Sequence, residues 1–67
     1  MTKMEINLAR DCLDCIEYVE ECLARVKAKK ALWEEVGEQE KVAEYAKEVT
    51  TLEHMIEESK NEIKSLL

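Results

Sequence analysis

Ala31-Leu32-Trp33-Glu34-Glu35-Val36-Gly37-Glu38-Gln39-Glu40-Lys41-Val42-Ala43 contains the only glycine of a 67-residue chain that has no proline. On both sides of it, residues suited to burial recur at alternating steps of three and four, the spacing of one helix face. Upstream the row reads Ala9, Cys12, Ile16, Val19, Leu23, Val26, Lys30 and Trp33; downstream it reads Val42, Tyr45, Val49, Leu52, Ile56, Ser59, Ile63 and Leu66. The rows do not join, because continuing the first past Trp33 would bring Gly37, Glu40 and Glu44 onto the apolar face. The phase breaks at the one residue that enters the left-handed backbone region without steric cost, the usual residue just past a helix C-terminus.

An all-α fold follows: an antiparallel two-helix hairpin, expected to dimerise into a four-helix bundle. The chain reads as one helical-hairpin domain, 1–67, with helix one over about 3–35, a turn near Gly37 and helix two over about 39–66. Thr2-Lys3-Met4-Glu5 has the form of a capping box, with Thr2 as N-cap and Glu5 three positions on. The second start has no Ser, Thr, Asp or Asn, but Glu38 and Glu40 suit the positive end of its dipole. Helices of some 30 residues reach about 45 Å, and so short a turn folds one back along the other. Layers whose residue numbers sum to 75 then face each other, from Trp33 with Val42 to Ala9 with Leu66, and their midpoint falls beside Gly37.

Ten cations against sixteen acids give a net charge of −6, and both halves are acidic. The basic footprint of a nucleic-acid-binding domain is missing, so nucleic acid is not an expected partner. Charges every few residues exclude a membrane span of about 20 apolar residues and a secretory leader. Cys12, Cys15 and Cys22 are odd in number and lie on one helix, which does not suit a disulfide framework linking separate segments. Reduced thiols and a cytoplasmic location are expected.

A two-helix hairpin uses one stripe per helix. Helix one carries further apolar residues beside its stripe, and Ile6, Leu8, Leu13, Cys15 and Cys22 are the candidate interface for a second copy or another protein. Burying four such side chains stabilises by about 6–12 kcal/mol, comparable with the net stability of a small domain, about 5–15 kcal/mol.

Other chemistry has few carriers. Cys12, Cys15 and Cys22 are candidate soft-metal ligands for copper or zinc, or redox thiols, because thiolates select soft ions. A zinc site asks for four ligands, usually in two pairs, and the chain has neither a second Cys-x-x-Cys nor an inward histidine: His54 falls on the outer face by phase. Arg25, Lys27, Lys29 and Lys30 are candidate phosphate contacts for an RNA-binding dimer. The residue three before His54 is Thr51, so the Glu-x-x-His of di-iron bundles is missing. No nucleophile–base set can be assembled; neither an enzyme nor a bound cofactor is expected.

A short acidic helical hairpin opening Met1-Thr2-Lys3 resembles, in plan, the Rop type of plasmid regulator, and that resemblance implies a homodimeric four-helix bundle. In its thiols the chain is similar to copper-storage bundles, although those repeat cysteines along several helices and this one keeps three on a single helix. The function expected is that of a small non-enzymatic regulator, adaptor or inhibitor of phage or plasmid type, acting through protein–protein contact as a hairpin homodimer.

Overall fold

The computed structural model describes residues 2–66. Helix α1 runs Lys3–Val36 and helix α2 runs Gln39–Leu66, and the two pack against each other as a hairpin. The molecule measures 52 × 15 × 11 Å. No helix is long and apolar enough to cross a membrane among the described residues.

Each junction has a local cause. At the start of α1, Thr2 is extended (φ −75°, ψ 163°), and its Oγ1 accepts from Glu5 N at 3.2 Å. The Glu5 carboxylate reaches back to Thr2 N at 3.2 Å and to Thr2 Oγ1 at 2.9 Å, which closes the capping box. At the end of α1, Gly37 is left-handed (φ 84°, ψ 18°). Its N–H donates to Glu34 O at 3.2 Å and Trp33 O at 3.0 Å, while Glu38 N donates to Trp33 O at 3.1 Å. These bonds form a Schellman motif and satisfy carbonyls that the helix end would otherwise orphan. The Glu38 carbonyl then accepts from Val42 N at 3.1 Å, so α2 begins as α1 finishes.

Burial follows the two rows read from the sequence. All sixteen row positions are buried or half-buried, and among the other described residues only Glu5, Cys22 and Ala46 join them. The tightest part lies well away from the turn, where Ile16, Val19 and Ile56 form a cluster with Leu23, Leu52 and Ile63 packed against it. The core is thin: Cys12, Ile16, Val19 and Ile56 are its only buried hydrophobics among the described residues, and each keeps 4–9% exposure. Two helices cannot enclose a side chain on every side. Lys30, half-buried in its row, resolves its charge by carrying its Nζ to Glu34 at 3.3 Å, the snorkelling expected of a long stem over an apolar seam.

Helix α1 has 34 residues and α2 has 28, a difference of six. The layers that pair α1 with α2 end near Ala9. The first turns of α1 therefore extend past the described end of α2, and Met4, Ile6 and Leu8 are 80%, 47% and 48% exposed.

Candidate functional site

The seam leaves α1 with two flanks, and the expected interface residues divide between them. Leu8, Cys15 and Cys22 each sit one position before a seam residue; Leu13 sits one position after one, and Ile6 lies seven residues before Leu13 on that same side. At about 100° per residue, Leu8 and Leu13 are about 140° apart around the helix. Leu8, Leu13 and Cys15 are exposed, and Cys22 is half-buried. No single flat surface covers all five.

The flanks are unequal. Besides Ile6 and Leu13, the second flank carries Arg10, Glu17, Glu20, Ala24, Lys27, Ala31 and Glu34, all exposed. The first flank adds Tyr18, Leu32 and Val36, which are 69%, 63% and 68% exposed, and is interrupted by Asp11, Arg25 and Lys29. By sequence, Tyr18 lies off the seam and suits a subunit contact, Leu32 and Val36 are spare apolar residues near the turn, and Met4 is not among the expected interface residues. The signal is in the spacing, since all four share with Leu8, Cys15 and Cys22 one row of alternating three- and four-residue steps that passes through Asp11, Arg25 and Lys29. On this same side a groove of about 370 Å³ opens between Cys22 and Val26 of α1 and Lys47, Glu48, Thr51 and Leu52 of α2. It is a surface channel rather than the enclosed pocket that holds a small ligand.

The three thiols have different surroundings. Cys12 is buried in the seam and donates its Sγ–H to Glu62 Oε2 at 3.3 Å. Its pKa is pushed above the usual thiol value, first by burial and then by the hydrogen bond and negative charge of Glu62. A thiol held protonated is a weak nucleophile and a weak metal ligand. Cys15 is exposed and Cys22 half-buried, both free. Ten residues of helix separate Cys12 from Cys22, about 15 Å along the axis. Two sulfurs on one zinc, each at about 2.3 Å, lie no more than about 4.6 Å apart. A single chain therefore cannot gather the three thiols, and among the described residues no group of three or more His, Cys, Asp or Glu is placed to hold a metal ion.

The four cations of α1 also separate. Arg25 and Lys29 lie on the apolar flank, whereas Lys27 and Lys30 line a groove on the other side with Glu34 and Val49. Lys30 is already bonded to Glu34. These positions form no common anion patch. His54 is exposed on α2, with its Nε2 2.9 Å from Glu58 Oε1. The Cys12–Glu62 bond was not foreseen, because it depends on which α2 residue flanks the seam opposite Cys12.

No protein-family model matches the chain, and no curated protein or solved structure is significantly similar to it.

Proposed function

We propose that this chain is a small non-enzymatic protein of the regulator, adaptor or inhibitor kind, acting by contact with other protein surfaces as a homodimer of hairpins arranged in a four-helix bundle. One observation carries the reading. Eight large apolar side chains among the described residues are 42–80% exposed, whereas four hydrophobic residues are buried. A hairpin that shows water more large apolar side chains than it hides gains stability by covering them, and extended apolar surface marks association sites. The thin seam points the same way, because chains of this size rarely bury enough surface alone. A second hairpin is the simplest cover, as closed two-fold assemblies are the commonest oligomers.

Solution mass tests this. Sedimentation equilibrium of the reduced protein is expected to give twice the 7.8 kDa chain mass, about 15.6 kDa. A 7.8 kDa species that persists at millimolar concentration would remove the homodimer and with it the reading's main support.

A further inference from the structure

We propose that the second copy docks along the apolar flank of α1, with the two α1 helices antiparallel and a two-fold axis crossing level with Glu20. This rests on the homodimer reading and specifies its surface. The flank forms a second complete row, from Met4 to Val36 in alternating steps of four and three. Laid antiparallel on its own copy over its full length, the row pairs residues whose numbers sum to 40. Four of the five pairings then have complementary chemistry. Met4 meets Val36 and Leu8 meets Leu32, which covers the exposed ends. Tyr18 meets Cys22 on either side of the axis. Asp11, the only acid in the row, meets Lys29, and Arg25 lies over Cys15. The row is thus self-complementary in its apolar ends and in the Asp11–Lys29 pair, the kind of match an isologous contact requires.

The opposite flank lacks these properties. Its large apolar residues stop at Leu13, and beyond it only Ala24 and Ala31 stand among Glu17, Glu20, Lys27 and Glu34. Helix α2 does not compete either. On the side it shares with the α1 row its one large apolar residue, Met55, stands among Lys41, Glu44, Glu48, Thr51, Glu58 and Glu62, all exposed, and the surplus of acids would set two α2 helices against each other if brought face to face. The contact therefore centres on α1, with the acidic α2 helices at its edges.

Cross-linking locates the axis. One chain carries Tyr18→Cys with Cys22→Ser, its partner keeps Cys22, and both carry Cys15→Ala. After mixing and mild oxidation, mass spectrometry is expected to find the 18–22 disulfide at least about ten times more often than the 18–18 or 22–22 link. Equal yields, or preferential linking of position 18 to a Met55→Cys chain added in competition, would overturn the antiparallel α1 pairing. Charge insertion supplies a second readout. Leu8→Glu with Leu32→Glu is expected to raise the dimer dissociation constant at least about 100-fold, and Ile6→Glu with Leu13→Glu less than about threefold. The reverse order would sink the choice of flank while leaving a dimer, whereas a wild-type protein that is monomeric throughout would instead defeat the homodimer reading itself.

Discussion

The hairpin is held differently at its two ends. Away from the turn, Cys12, Ile16, Val19 and Ile56 are buried. Near the turn, Val26, Lys30, Trp33, Val42, Tyr45 and Val49 continue the same rows and are only half-buried, as are Ser59, Ile63 and the outermost far layer, Ala9 with Leu66. The difference reflects what each end has to do. Where covalent continuity already holds the helices together, reversal is secured by backbone geometry: the left-handed Gly37 and its Schellman bonds. Far from the turn no such tether exists, and only side-chain packing keeps α2 on α1. A long two-helix seam thus divides its work between a local device and a non-local core.

The sharpest test sets the two ends against each other. Ile56→Ala is expected to cost about 2–4 kcal/mol of unfolding free energy, and Val49→Ala at the half-buried end about 1 kcal/mol. Urea melts at one fixed protein concentration would show it, since association contributes to apparent stability; equal losses would break the comparison. Next in size is the turn. Gly37 has open space where a Cβ would stand, so Gly37→Ala is not a clash but forces an L-residue to φ 84°. A loss of about 1–2 kcal/mol is expected, and the same melts measuring no change would mean that the turn relaxes to another geometry. Removing the capping box with Thr2→Ala is expected to cost about 0.5–1 kcal/mol, visible as faster amide exchange confined to the first turn of α1.

The smallest effect concerns the far end and appears only at alkaline pH. The unfolded chain releases the Cys12 proton near the ordinary value of 9.0, while the folded chain holds it to higher pH, through burial first and then through Glu62. The unfolded state therefore binds fewer protons above 9.0, and stability falls as pH rises through that point until the folded thiol ionises as well. The difference in unfolding free energy between wild type and Cys12→Ala, followed from about pH 8 to about pH 10, is expected to shrink. A constant difference would show that Cys12 ionises as freely folded as unfolded.

Most of the hairpin was legible because its signals are local. Rows at steps of three and four, a capping box over four residues and a single glycine at the phase break all operate within a turn or two of helix. The expected interface was less legible. Ile6, Leu8, Leu13, Cys15 and Cys22 were grouped because all are apolar residues beside the seam, and their division into two flanks about 140° apart matters only once α2 occupies the space between them. Leu32 and Val36 were visible as apolar residues near the turn, but that α2 leaves them uncovered depends on its path. The cation run from Arg25 to Lys30 looked continuous in sequence and separates in space, because adjacent helical positions point about 100° apart.

Periodicity alone therefore determined that this chain makes two helices, where it reverses and which residues line the seam, since helix formation and capping depend on near neighbours. The tertiary packing alone decided which side chains α2 leaves exposed, Leu8, Tyr18, Leu32 and Val36 on one flank of α1 and Ile6 and Leu13 on the other, and that the Cys12 thiol bonds Glu62. Those features depend on which surface a second helix covers, and that is a property of the pair, not of either helix.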